Sequence, residues 1–244
     1  MIPTYVRHSP SKLNLFCAQP SMFVLEYVLG VKQPVGVHAH RGVAVEDGVT
    51  YGLKYPSAHL DDCRHVAQVK YDTLTALSGD PRREKFRETV PDMVTTAVKQ
   101  LRQYGVPTGT QEAVEWRPPE LKLPIFGYLD YRWDQHGIVA DLKTTERMPS
   151  EIKIPHARQV ALYTVSEATH AHLIYVTPKK LESYLLENID AHRGALASVA
   201  RRVENFLALS DDAEYFLGIT APDLESFYWG NPEARELAFR HWKL

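Results

Sequence analysis

Apolar residues recur every three or four positions through much of the first hundred residues, then at every second position in several short runs. The first pattern predicts helices with one buried face, the second half-buried strands. Ser9 caps a helix with Pro10 at its first position, running through SKLNLFCA until Pro20 interrupts it. SMFVLEYVLG resumes as far as Gly30, and VKQPVG reads as a loop. RGVAVEDGVTYGLKY is the next helix, weakened by Gly48 and Gly52. DDCRHVAQVKYDTLTALSG follows, with Asp61 or Asp62 as its cap. Asp80-Pro81 opens RREKFRETV, and Pro91 kinks or restarts the chain before DMVTTAVKQLRQYG, which Gly105 ends.

The period changes from residue 111. QEAVEW, FGYLDYRWD and GIVADLKTT read as strands, the last two joined by a hairpin turn at Asp134-Gln135-His136-Gly137. Pro155 opens a helix, HARQVALYTVSEAT. AHLIYVTP and LESYLLE are two further strands around the Pro178-Lys179-Lys180 turn. AHRGALASVARRVENFLAL is a long helix and NPEARELAFRHWKL a short terminal one. This order predicts an α/β fold. The expected organisation is one domain over residues 1–244, mainly helical over 1–105, with a sheet and helix over 106–188 and helices over 189–244.

Composition narrows the function. With 44% hydrophobic and 24% charged residues in 244, the chain is long enough for one sizeable core. A net charge of -2 provides no global basic field, so any nucleic-acid surface must be local. Cys17 and Cys63 are too few for a four-cysteine metal site and read as free thiols in a reducing compartment. No leader of the secretory type is expected, nor a transmembrane helix, since the longest apolar run falls well short of about 18 residues. The expected location is cytoplasmic.

The chemistry concentrates in FGYLDYRWDQHGIVADLKTTE. Side chains alternate along a strand, so Asp141 and Lys143 share a face and Leu142 points to the other. Pairing across the 134–137 turn brings Asp130 within reach of Asp141. Two close carboxylates repel unless a cation lies between them, and Mg²⁺ or Mn²⁺ with its preference for oxygen suits that position. Lys143 beside it orients or deprotonates a water, or stabilises charge on a phosphoryl group. From spacing alone, a solvated salt bridge on an exposed hairpin explains the same residues.

GYLDYRW followed by GIVADLKTTE resembles the core of the PD-(D/E)XK nuclease superfamily in its RecB-type branch. The resemblance lies in a G-x-x-D strand from Gly127 to Asp130, D-x-K at Asp141, Leu142 and Lys143, and Q-x-x-x-Y at Gln159 and Tyr163. Upstream, RGVAVEDG resembles a helix of that branch, with Glu46 where a histidine is commoner, as in the phage lambda exonuclease type. The opening SPSKLNLFCAQPSMFVLEYVLG resembles that of RecB-type nucleases, although the cysteines for an iron–sulfur cluster are missing. The tail, FYWGNPEARELAFRHW, resembles that of small phage-encoded members.

The resemblance implies a restriction-endonuclease-like mixed central sheet flanked by helices. It implies a metal-dependent deoxyribonuclease, an exonuclease acting on DNA with a free end in recombination, repair or replication. Glu46, Asp130 and Asp141, with the Leu142 carbonyl, would hold Mg²⁺ or Mn²⁺, and Lys143 would act on the attacking water. Gln159 would fix the lysine or the DNA, and Tyr163 would contact a phosphate or stack on a base. A structure-specific endonuclease, a catalytically silent DNA-binding module of the same fold and a non-nuclease metal hydrolase are the alternatives. Single- and double-stranded DNA, and oligomers, stay open.

Among weaker signals, Arg82, Arg83, Lys85 and Arg87 start a helix and could meet phosphate or simply be solvated; Arg201-Arg202, on the long helix, share that ambiguity, and Lys179-Lys180 read as a turn. His38 and His40 read as loop residues, and Trp116, Trp133, Tyr128 and Tyr131 as core.

Overall fold

A computed structural model describes residues 5–165 and 170–244. In chain order the helices and strands are α1 (Pro10–Ala18), α2 (Pro20–Phe23), α3 (Val37–Lys54), α4 (Leu60–Leu74), α5 (Arg83–Leu101), β1 (Gly109–Trp116), β2 (Ile125–Trp133), β3 (Ile138–Thr144), α6 (Ile154–Leu162), β4 (His170–Val176), β5 (Leu181–Leu185), α7 (Ile189–Leu207), α8 (Ala213–Ile219) and α9 (Pro232–Trp242). The chain is therefore α/β, and among the described residues the sheet has five strands, ordered β1-β2-β3-β4-β5. Strand β3 pairs antiparallel with β2 and parallel with β4, and β5 is antiparallel to β4, so the sheet is mixed. Helix α6 lies in the connection between the two parallel strands, as a parallel crossover requires.

Two compact units emerge. One gathers the segment up to Pro34, Glu115–Gly127 and Ala191–Leu244; the other holds Val35–Val114 and Tyr128–Asp190. In the first, α2 runs into a π-helical turn at Val24–Val28 rather than continuing as the regular helix read from the sequence. Met22 and Leu25 bury there with Trp229, Ala234 and Ala238. Among the described residues no helix is long and apolar enough to cross a membrane.

The second unit packs α3, α4 and α5 together, with α3 also against β3. Their apolar faces share one core with Tyr131, Trp133, Ala140, Leu142, Ile174 and Val176, which are alternate residues of β2, β3 and β4. Leu142 is thus buried on the face opposite Asp141, as the strand alternation requires. Gly48 and Gly52 are the reason three helices approach so closely. A Cβ on Gly48 would lie 2.6 Å from the Cys63 carbonyl oxygen, and one on Gly52 2.8 Å from Cys63 Sγ.

Several boundaries differ from the sequence reading, each for a local reason. Helix α3 begins at Val37 after Gly36, so His38 and His40 belong to its first turns and not to a loop. Helix α4 starts after His59; Asp62 closes the cap from inside the helix by accepting the His59 N–H at 3.2 Å. Helix α5 continues through Pro91, because residues on both sides of it, Phe86, Val90, Met93, Val94, Ala97 and Val98, bury in the same core. Trp133 and Tyr131 are core, but Tyr128 is half exposed. The last four residues of the helix expected over HARQVALYTVSEAT lie outside the described residues.

Candidate functional site

The hairpin turn forms as a short 3₁₀ turn, Asp134–His136, closed by Gly137 in the left-handed conformation at φ 63°. The resulting register pairs Trp133 with Ile138, Arg132 with Val139 and Tyr131 with Ala140. One step further along that register brings Asp130 beside Asp141. The Asp130 Oδ2 accepts the Leu142 backbone N–H at 2.7 Å, which fixes the acid against the peptide that joins Leu142 to Asp141. Asp141 is 1% exposed, and its Oδ2 meets the Lys143 ammonium at 2.6 Å. The other oxygen, Oδ1, accepts from Gln159 Nε2 at 3.0 Å. Gln159 sits on α6 and also donates to the Tyr163 hydroxyl at 2.9 Å.

Asp130, Asp141, Lys143, Gln159 and Tyr163 therefore form one network. Tyr163 is 1% exposed, so its ring offers no face to a base. The resemblance has Tyr163 contacting a phosphate or stacking on a base; here its hydroxyl accepts from Gln159.

Glu46 arrives from α3, and its link to the hairpin is a residue the sequence did not flag. Gln111 Nε2 donates to Glu46 Oε1 and, at 3.1 Å, to Asp130 Oδ1. Gln111 adopts φ 52° in β1, a left-handed conformation uncommon for a side chain other than glycine, asparagine or aspartate. In the sequence it occupies an ordinary strand-start position, and its backbone angle leaves no trace in the apolar pattern.

The electrostatics follow from burial and crowding. Burial first, then the neighbouring Asp141 charge, pushes the Glu46 carboxyl up to about 7. Burial, Asp141 and Glu46 hold the Asp130 carboxyl well above the usual carboxylate range. Burial pulls the Lys143 ammonium down, but Asp141, Asp130 and Glu46 together outweigh it, and the group ends above the ordinary lysine value. His156, on α6, is lowered to about 4, by burial and then by the Lys143 charge. Its Nδ1 lies 2.7 Å from the Tyr175 hydroxyl.

Oxygen donors alone make up the acid set, which suits a hard divalent ion such as Mg²⁺ or Mn²⁺. Ionising Glu46, Asp130 and Asp141 together calls for positive charge beyond Lys143 alone. Among the described residues no three His, Cys, Asp or Glu side chains converge into a ready coordination shell. The Gln111 amide stands between Glu46 and Asp130, and the Lys143 ammonium lies against Asp141. The residues fit the ion by chemistry, with Gln111 as the group that would have to yield.

The other basic positions are mostly engaged. Arg82 pairs with Asp80, Arg83 and Arg87 with Asp72, Lys85 with Glu146, Lys180 with Glu182, and Arg201 with Glu120. Cys63 is buried and Cys17 exposed.

No family model matches the chain, and no curated protein does. One solved structure, described as "Crystal structure of SSO0001", is similar at 18% identity and a TM-score of 0.35, over 68% of this chain and 75% of that one.

Proposed function

We propose that the chain is a divalent-metal-dependent deoxyribonuclease of the PD-(D/E)XK type, RecB-like in its motifs, that hydrolyses phosphodiester bonds from a DNA end. The observation that supports it most is the Asp130–Leu142–Asp141–Lys143–Gln159 network with Glu46 delivered from a distant helix. A solvated hairpin salt bridge would not bury Asp141 or fix it with an amide from another element.

Glu46, Asp130, Asp141 and the Leu142 carbonyl are the groups that would hold Mg²⁺ or Mn²⁺. When bound, such an ion polarises a phosphoryl oxygen and makes a water more acidic. With no ion bound, the three acids hold the Lys143 ammonium above the ordinary lysine value against its burial. In that form it serves as an electrostatic clamp and hydrogen-bond donor for charge developing on the phosphoryl oxygens. Asp141 orients that ammonium, and Gln159 holds Asp141 from the α6 side, so the clamp keeps its place without reorganisation.

End-labelled linear DNA, single- and double-stranded, tests the proposal in Mg²⁺, in Mn²⁺ and in chelator, beside closed circular single-stranded DNA. Shortening of linear DNA only with metal, and intact circles, is the expected result. Full activity in chelator would overturn metal dependence, and rapid cutting of circles would select the endonuclease alternative. Lys143→Ala should keep DNA binding and lose about 10²–10³ in rate. A variant within about threefold of wild type, roughly 0.7 kcal/mol of barrier, would remove Lys143 from the chemistry. Binding without cleavage in any metal would favour the silent DNA-binding module.

A further inference from the structure

Arg41 is a poorly accommodated charge. It is 4% exposed, its Nε is buried without a hydrogen-bond partner, and among the described residues it makes no ion pair. Its guanidinium lies over the Phe86 ring, with Cζ 4.5 Å from the centroid. A buried guanidinium normally recovers its lost hydration through carboxylates or carbonyls, and leaving it unpaired is unfavourable. Elsewhere in this protein arginines have done so. Arg132 is held by Glu112 and Asp134, Arg87 by Asp72, and Arg102 by the Gly52 and Ala58 carbonyls.

The surroundings of Arg41 point to an anion. It lies at the start of α3, an 18-residue helix whose first turn follows Gly36 and receives no side-chain cap. That end of a helix carries partial positive charge and outward N–H groups. His38 belongs to the first turn, and its imidazole is lowered by burial and then by the Arg82 and Arg41 charges, which brings those cations near that turn. Acids are close as well: Asp80 pairs with Arg82 at 2.7 Å, and Glu146, which pairs with Lys85 at 3.6 Å on the surface, also favours the Arg41 charge through space. Among the described residues neither acid makes an ion pair with Arg41 itself.

We propose that Arg41, with the N-terminal turn of α3, forms a binding site for a phosphate monoester. The ligand class follows from the arrangement. A guanidinium matches a tetrahedral oxyanion with two parallel donors, and a helix N-terminus adds backbone donors. A group buried this far accommodates something that ends there, a terminal phosphate rather than a diester backbone running past. The monoester can come from two sources: the terminal phosphate of a nucleic-acid strand, or a free mononucleotide. If the nuclease proposal holds, the two sites share a helix, with Arg41 five residues before Glu46. The phosphate site itself needs neither the metal nor the cleavage chemistry.

The experiment uses the full chain in chelator, so that failure of metal-dependent cleavage leaves it intact. Calorimetric titrations are run with inorganic phosphate, a deoxynucleoside 5′-monophosphate, the 3′-monophosphate, the free nucleoside, and short oligonucleotides with phosphate or hydroxyl at either end. Saturable binding of the phosphate-bearing probes and none of the nucleoside is expected, with amide shifts over Val37–Arg41 in ¹⁵N spectra. Tighter binding of phosphorylated oligonucleotides than of mononucleotides identifies the strand end as the source, and the reverse identifies the free nucleotide. Arg41→Gln should weaken phosphate at least about tenfold, the loss expected for a charged hydrogen bond, and Arg41→Lys should weaken it less. Should Arg41→Gln fail to fold, the wild-type amide shifts decide. Absence of saturable phosphate binding, shifts elsewhere in the chain, or unchanged affinity in a folded Arg41→Gln protein would overturn the proposal.

Discussion

Gln111 donates from one amide nitrogen to both Glu46 and Asp130, from a backbone angle that a glutamine adopts only when its surroundings impose it. Gln111→Ala removes both donors and leaves two carboxylates facing each other. In chelator it should lower stability by about 1–3 kcal/mol, the cost of unsatisfied buried polar groups. Mg²⁺ should then raise its melting temperature by more than that of wild type, because a cation supplies the compensation the amide had given. Thermal melts with and without Mg²⁺ check this, and equal shifts in the two proteins would show that the amide does not hold the acids. Asp130, Asp141 and Lys143 were legible because strand alternation and hairpin register fix their relation from spacing, whereas Gln159 entered by motif, expected on the lysine or the DNA, and its amide meets Asp141. Gln111 was not legible, because its part depends on one dihedral angle. Tyr163 was legible by motif, but its burial is set by packing that spacing does not carry.

Among the elements, α3 carries the most. It brings Glu46 to the hairpin, places Arg41 at its start, and packs against α4, α5 and β3. The glycines that weaken it as an isolated helix are what let it do so. At Gly48 the obstacle to a side chain is the Cys63 backbone oxygen, 2.6 Å from the ideal Cβ. At Gly52 the nearest atoms are the Cys63 and Val98 side chains, at 2.8 and 2.9 Å, which can turn away more cheaply. Gly48→Ala should therefore destabilise the protein by about 1–3 kcal/mol through overpacking, and Gly52→Ala by less. Urea unfolding midpoints check the ranking; a Gly48→Ala protein as stable as wild type would mean α3 and α4 separate freely. The strands and most helices could be read from their periods. What escaped were the start of α3, the cap of α4 and the continuity of α5 through Pro91, because each is settled by the core those helices share and not by the residues at their ends.

For the whole molecule, one carboxylate joins the three chain segments of the first unit. Glu204 on α7 accepts the backbone N–H groups of Lys122 and Leu123 at 2.9 and 2.8 Å, and lies 3.2 Å from His8 Nε2. His8 is fully buried beside Tyr5. Burial lowers its pKa, and the nearby Lys12 lowers it too, against the pull of Glu204. A group whose folded pKa lies below its unfolded value stabilises the fold above the unfolded pKa, about 6.5 for histidine, and loses that contribution as pH falls toward the folded one. The Glu204 pKa, lowered by those backbone N–H groups and His8 against its own burial, gives the same sign at more acid pH. Melting temperature should thus fall as pH drops below about 6.5, and His8→Gln should flatten that slope. An unchanged slope would place the sensitive histidine elsewhere. The same carboxylate sets an order of events while the chain is being made. Glu204 lies 81 residues beyond Leu123. At roughly 5–20 residues per second of synthesis, the 122–123 amides wait about 4–16 s for their common partner, and His8, 196 residues before it, about 10–40 s. The second unit has all of its chain by Asp190 and can close its core first, while the first unit stays open until α7 leaves the ribosome.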